Sequence, residues 1–152
     1  MGAAYFYHIT QRPLVETLRM LLHKALQSKW RVAVRGTDDT QLSELNRALW
    51  LGPEETFLPH GLANGPDAPL QPVLLTREMA AANDPVCVMS VGGAEVKVDE
   101  VRALQRVCVL FDGNDPEGVS RARVQWKTLA DAGASAQYWA EDTGRWIMKA
   151  ET

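Results

Sequence analysis

Apolar positions along this 152-residue chain follow two spacings, and each predicts a different element. Runs rich in β-branched and aromatic residues predict strands, whereas leucines and alanines recurring every three or four positions predict helices. The predicted strands are Ala3 to Ile9, Trp30 to Val34, Val73 to Thr76, Pro85 to Val91, Arg106 to Phe111, Ala136 to Ala140 and Arg145 to Lys149. The predicted helices are Pro13 to Lys29, a second one capped by Asp38 or Asp39 and ending at Trp50, Asp99 to Leu104, and Pro116 to Ala132.

The order of these elements predicts the fold class. A whole helix separates the first two strands, so they should lie parallel with a right-handed crossover. The alternation predicts one α/β domain over residues 1–152, a three-layer α/β/α sandwich around a mostly parallel, Rossmann-like sheet of about five or more strands. The tetrad Glu141 to Gly144 predicts the turn of a terminal hairpin. The proline-rich stretch from Leu51 to Pro72 has no helical periodicity and predicts a long functional or partner-covered loop.

Charge and cysteine content narrow the class of protein. The net charge of −3 argues against a non-specific nucleic-acid binder, which carries a basic footprint. Cys87 and Cys108 both fall in apolar strands, as reduced core thiols of a cytoplasmic protein do. The N-terminus shows no basic leader before an apolar core, and no apolar run approaches the ~20 residues that span a bilayer. We therefore expect a cytoplasmic protein without a membrane contact.

The usual nucleotide and metal motifs do not occur. The turn after the first strand, Ile9 to Pro13, contains no glycine and no lysine-serine pair, so phosphate binding of the P-loop kind is not expected. The three histidines, His8, His23 and His60, lie far apart, and two isolated cysteines do not make a zinc pattern. We expect no cofactor and no metal.

The acidic turn from Asp112 to Asp115 has two interpretations. Carboxylates at the end of a strand can bind Mg²⁺ or act as acid and base, which predicts a small metal-dependent hydrolase or phosphotransferase using Asp112 and Asp115. Alternatively, Asn114 or Asp115 caps the helix that begins at Pro116, and Glu117 complements its dipole.

The helix after that turn carries a basic and aromatic stripe. Arg123, Trp126, Lys127 and Ala130 follow at helical spacing, and Arg121 adds a further cation. Two cations beside an indole suit an apolar peptide that ends in a carboxylate. The same residues also suit a solvated basic face with Trp126 half-buried, or a groove in which single-stranded DNA stacks.

The segment ALWLGPEETFLPHGL, from Ala48 to Leu62, resembles the chi subunit of bacterial DNA polymerase III. The likeness extends to the aromatic FY of the first strand, the WRVAV strand, the FDGND turn and the helix sequence RARVQWK. It covers essentially the whole chain, although residues 74–104 match only in pattern. The resemblance implies an α/β fold that is reminiscent of nucleotide-binding domains but binds no nucleotide.

The resemblance also implies partners and site residues. It implies an accessory subunit of the replicase, without catalytic activity of its own, that links the clamp loader to single-stranded-DNA-binding protein (SSB). The acidic C-terminal tail of SSB would bind at Arg121, Arg123, Trp126 and Lys127, and contact with single-stranded DNA would be indirect. The psi subunit or another clamp-loader component would pack on a second surface, formed by Trp50, Phe57, Pro59 and His60.

Overall fold

The computed structural model describes residues 2–51 and 58–152. Within these ranges the strands are β1 (Ala3–Ile9), β2 (Val32–Arg35), β3 (His60–Leu62), β4 (Val73–Thr76), β5 (Cys87–Ser90), β6 (Arg106–Asp112), β7 (Ala136–Asp142) and β8 (Arg145–Glu151). The helices are α1 (Leu14–Gln27), α2 (Asp39–Trp50), α3 (Val98–Ala103) and α4 (Pro116–Asp131), with a short 3-10 helix at Ala68–Leu70.

The described strands form one sheet in the order β3-β4-β2-β5-β6-β1-β7-β8. Every neighbouring pair is parallel except β7 and β8, which form the terminal hairpin. The first strand is an interior strand of this sheet: β1 lies between β6 and β7. The mostly parallel sheet between two helical layers confirms the predicted α/β sandwich.

Two apolar cores hold the helices on opposite faces of the sheet. On one face, α1 and α2 bury a stripe that includes Leu18, Leu22 and Leu42 against the odd-numbered side chains of β1. On the other, α3 and α4 pack against the even-numbered side chains of β1, and Leu129 is buried there. Strand alternation therefore assigns neighbouring residues of β1 to different cores.

The helix ends follow the capping chemistry of the sequence. The side chain of Asp38 accepts a hydrogen bond from the backbone N–H of Gln41 at 2.8 Å, which caps α2. Asp115 accepts one from the backbone N–H of Glu117 at 3.1 Å, which caps α4. After α4, Gly133 takes a φ of 76°, the left-handed conformation that commonly ends a helix. The interpretation of Asp115 as a helix cap is confirmed.

The terminal hairpin is tighter than the sequence predicts. Its strands extend to Asp142 and Glu151, so the turn consists of Thr143 and Gly144, which have φ values of 49° and 80°. Two successive residues with positive φ give a two-residue turn whose twist matches the right-handed twist of the flanking strands. Glu141 thus belongs to β7, and its assignment to the turn was wrong.

The stretch from Leu51 to Pro72 is not simply a loop. Its described part contains β3, which pairs in parallel with β4, and the 3-10 helix. A three-residue strand that includes Gly61 has no periodicity to detect, which is why the sequence pattern missed it. Across the described ranges, no helix has the length and apolar character needed to cross a membrane.

Candidate functional site

Helix α4 exposes two cations beside a half-buried indole. Arg123 and Lys127 are exposed, while Trp126 between them packs inward against the sheet. Its ring meets Phe6 at a centroid distance of 5.4 Å and Tyr138 at 5.7 Å, both nearly perpendicular. The charges of Arg123 and Lys127 therefore lie next to an aromatic surface that packs against the sheet.

Trp126 belongs to a larger group of rings, the α4 aromatic cluster, which consists of Phe6, His8, Phe111, Trp126 and Tyr138. The hydroxyl of Tyr138 lies 2.8 Å from Nδ1 of His8, so β1 and β7 are joined by a side-chain hydrogen bond. Neither Tyr138 nor His8 is among the site residues predicted from the sequence. The signal was available in principle, because even-numbered residues of β1 and β7 share the α4 face of the sheet.

Arg123 influences the α4 aromatic cluster electrostatically. Within the described residues it forms no ion pair and no hydrogen bond to a side chain. Burial lowers the pKa of His8, and the positive charge of Arg123 lowers it further. Burial raises the pKa of Tyr138, while Arg123 acts in the opposite direction. The guanidinium is thus available to an external anion.

Lys127 has a weak partner. Its ammonium lies 3.3 Å from a carboxylate oxygen of Asp131, one turn further along α4. Both side chains are mostly exposed, so this ion pair contributes little to stability and an incoming carboxylate can replace it.

The structure does not bring Arg121 together with the other three residues. Two positions along a helix correspond to about 200° of rotation, so Arg121 and Arg123 point to different sides of α4. Arg121 instead lies against Gly93 and lines a pocket of about 130 Å³, with Glu117 at 3.9 Å. The basic stripe predicted from the sequence is therefore divided between two surfaces.

Side chains of the acidic turn form hydrogen bonds with nearby backbone groups. Asp112 accepts one from the backbone N–H of Asn114 at 2.9 Å. The side-chain amide of Asn114 in turn donates to the carbonyl of Thr10 at 3.0 Å, which ties this turn to the loop after β1. Among the residues described, no three His, Cys, Asp or Glu side chains are grouped as metal ligands would be.

A second surface lies at the end of α2. The rings of Trp50 and His60 stack with centroids 4.2 Å apart. The imidazole is buried, with its nitrogens 2.6 Å and 3.2 Å from the carbonyl oxygens of Leu58 and Asn46. Trp50 nevertheless keeps 50% of its surface exposed. Pro59 is half-buried beside this stack, and Phe57 lies outside the described residues.

A cleft of about 800 Å³ opens at the carboxyl ends of β2 and β4. Its wall is held by Arg35, whose side chain is buried and makes a bidentate pair with Glu100 at 2.9 and 2.6 Å. Arg35 also donates to the carbonyls of Met79 and Glu95. All four terminal N–H groups of the guanidinium are thus used within the fold, so its role is to fasten these loops.

Comparison with known proteins shows the family of the chain. Residues 1–137 match the family model described as "DNA polymerase III chi subunit, HolC". The chain belongs to this family. Similarity extends to a protein of Rickettsia prowazekii (strain Madrid E) named "Probable DNA polymerase III subunit chi", with 23% identity over 111 residues, 70% of this chain and 67% of the relative.

Membership in the chi family gives the general role. A chi subunit is a component of the replicative polymerase, so the chain has an accessory role in DNA replication and associates with other DNA polymerase III components. Both α4 and the Trp50–His60 stack lie within the matched residues.

Proposed function

We propose that this chi-family chain binds the acidic C-terminal tail of SSB on α4 and so links the clamp loader to SSB-coated DNA. The supporting observation is Arg123, an exposed guanidinium without an ion pair or side-chain hydrogen bond among the described residues, beside the α4 aromatic cluster. A chain with a net charge of −3 that leaves a cation unpaired here offers a local site for an anion.

The chemistry of an acidic peptide tail fits these residues. Arg123 offers a planar pair of N–H donors that match a carboxylate, and Lys127 adds a second positive charge one turn away. The exposed part of Trp126 supplies an apolar surface for the hydrophobic side chains that accompany the acidic ones. Because the indole is braced by Phe6 and Tyr138, little side-chain entropy is lost when a peptide binds.

Calorimetric titration with a peptide of the SSB C-terminus tests this proposal. Wild type should bind it with an affinity that falls as salt is added, because the contact is between charges. A peptide with the same residues in scrambled order serves as the control for general charge attraction. Equal affinity for both peptides, or no binding by wild type, would overturn the proposal.

The exposed Trp50 suggests where a polymerase partner packs. We propose that Trp50, Pro59 and His60, with Phe57 beside them in the sequence, form the contact with psi or another clamp-loader component. An indole that is half-exposed yet fixed by stacking on a buried ring has the character of an interface anchor. Hydrogen exchange across residues 50–62 should slow when that component is added. Unchanged exchange there, with slowing elsewhere, would relocate the interface.

A further inference from the structure

A pocket on the opposite face of the sheet from α4 is not used by either surface above. This α1 pocket lies between α1 and the β7–β8 hairpin and has a volume of about 270 Å³. Five aromatic side chains line it, those of Tyr5, Tyr7, Trp30, Trp139 and Trp146. We propose that the α1 pocket binds a small ligand that combines one flat apolar ring with a carboxylate.

The charge of the α1 pocket favours an anion. Arg106 and Lys24 both line it, and none of the aspartates and glutamates in the described part of the chain does. The guanidinium of Arg106 lies 4.1 Å from the ring centroid of Tyr5 and 5.4 Å from that of Trp30. These contacts fix the plane of the cation, yet Arg106 forms no ion pair with any described carboxylate.

Two donors in the pocket wall have no acceptor. The indole N–H of Trp146 and the Nε–H of Arg106 are both buried and lack a hydrogen-bond partner among the described residues. A buried donor without an acceptor costs about 1–3 kcal/mol. A bound carboxylate, after a small shift of these side chains, would supply the missing acceptor.

The size of the α1 pocket limits the ligand. Pockets that hold drug-sized molecules are about 300–1,000 Å³, so 270 Å³ suits a single ring with a short acidic arm. The aromatic walls favour a planar ring, which can stack or meet them edge-on. A ligand of this size in such a pocket should bind with a Kd on the order of a millimolar or somewhat tighter.

The test uses the full chain and the probe 3-phenylpropionate. The five tryptophans give separate indole N–H signals in a nitrogen–proton NMR spectrum. Addition of the probe should shift the signals of Trp30, Trp139 and Trp146 and leave that of Trp50 in place. The neutral amide of the same acid tests the charge without altering the protein, and it should bind about tenfold more weakly or worse.

A protein variant provides a second arm. Arg106→Met keeps an unbranched apolar stem and removes the charged guanidinium, so it should weaken binding of the acid about tenfold while leaving the affinity for the amide unchanged. Arg121 is a cation on the other face of the sheet, so Arg121→Met is the matched control. It should change the affinity for neither the acid nor the amide. N-acetylphenylalanine distinguishes two classes of natural ligand. If it binds as tightly as 3-phenylpropionate, the ligand is the C-terminal end of a polypeptide. If it does not bind, the ligand is a free acid. Equal affinity of wild type for acid and amide, or shifts confined to Trp50 and Trp126, overturns the proposal.

Discussion

Trp126 of α4 meets Phe6 of β1 edge to face, with ring centroids 5.4 Å apart and planes inclined by 79°. One side of the indole is therefore part of the core, while the other remains at the surface between two cations. The same residue anchors the helix and forms the floor of the proposed tail site. Stability and binding can be separated only by variants that change one side at a time.

Removing the indole should destabilise the fold. Trp126→Ala leaves a cavity against Phe6 and Tyr138 and should lower the free energy of unfolding by about 3 kcal/mol. Val124→Ala on the same helix is the control, because Val124 is 64% exposed and should cost no more than ~0.5 kcal/mol. Urea unfolding followed by circular dichroism measures both. Similar losses for the two variants would show that Trp126 is not part of the core.

The two arginines of α4 should differ in their effect on the SSB tail peptide. Arg123→Ala removes a charge-assisted hydrogen bond and should weaken binding about tenfold to a hundredfold. Arg121→Ala removes the same residue type on the other side of the helix and should leave the affinity within about twofold of wild type. Calorimetric titration gives both constants. A larger loss for Arg121→Ala would place the peptide over the Gly93 side.

Asp131 should act against peptide binding. It pairs with Lys127 and adds a negative charge near the site, so Asp131→Asn should strengthen binding of the acidic tail about two- to fivefold. The gain should shrink in a Lys127→Ala background, since the part of it that comes from releasing Lys127 is then lost. Titrations of the single and double variants decide this. Weaker binding by Asp131→Asn would mean that the ion pair positions Lys127 for the peptide.

Glu141 should make stability depend on pH. Burial favours the neutral acid, but hydrogen bonds from the N–H groups of Gln11 and Thr10 and from Arg12 outweigh it, so the pKa of Glu141 is lowered. The carboxylate sits 2.9 Å from Nε of Arg12. A lowered pKa adds stability above the unfolded value of about 4.3, and this is lost as pH falls through the folded value.

Glu141→Gln should therefore lower the melting temperature at pH 7 by several degrees, equivalent to about 1–3 kcal/mol. The difference from wild type should shrink as the pH falls below about 4. Thermal melts between pH 3 and pH 8 test this, with the exposed Glu151→Gln as the control. A difference that stays constant with pH would show that packing, and not charge, holds Glu141.

Removing one partner of the Arg35–Glu100 pair should lower the free energy of unfolding more than replacing both partners with apolar residues. Burial raises the pKa of Glu100, but the contact with Arg35 and the N–H of Lys97 lower it overall, so the carboxylate is charged in the fold. Glu100→Ala leaves the buried guanidinium without its carboxylate and should cost about 3–5 kcal/mol. The double variant Arg35→Met, Glu100→Met should cost less. Denaturant unfolding of the wild type and the two variants suffices, and a loss in the double variant as large as that in Glu100→Ala would contradict the expectation.

Local patterns predicted the elements because the information needed for each one is local. Ala3–Ile9 and Val73–Thr76 have the predicted bounds, and α2 ends at Trp50 as expected. Caps such as Asp115 were predictable, since a cap and its N–H donor are two or three residues apart. By contrast, β3 is too short to show a period.

The sites were less predictable because they depend on residues distant in sequence. No residue near Glu141 in the sequence indicates that its carboxylate accepts hydrogen bonds from the backbone of Thr10 and Gln11, about 130 residues earlier. Tyr138 joins the α4 aromatic cluster only because β1 and β7 are neighbours. The resemblance implied that Arg121 and Arg123 share one site, although residues two positions apart on a helix lie about 200° apart around its axis.

The interior position of β1 has a consequence for synthesis on the ribosome. β1 is made before its neighbours β6 and β7, with roughly 100 residues between Ala3 and its partner Arg106. β1 therefore has no neighbouring strand until β6 has emerged, and pairing the two strands requires a long loop to be closed. We expect a chain stalled before residue 106 to expose both edges of an aromatic first strand, the form most prone to pair with another copy or to need a chaperone.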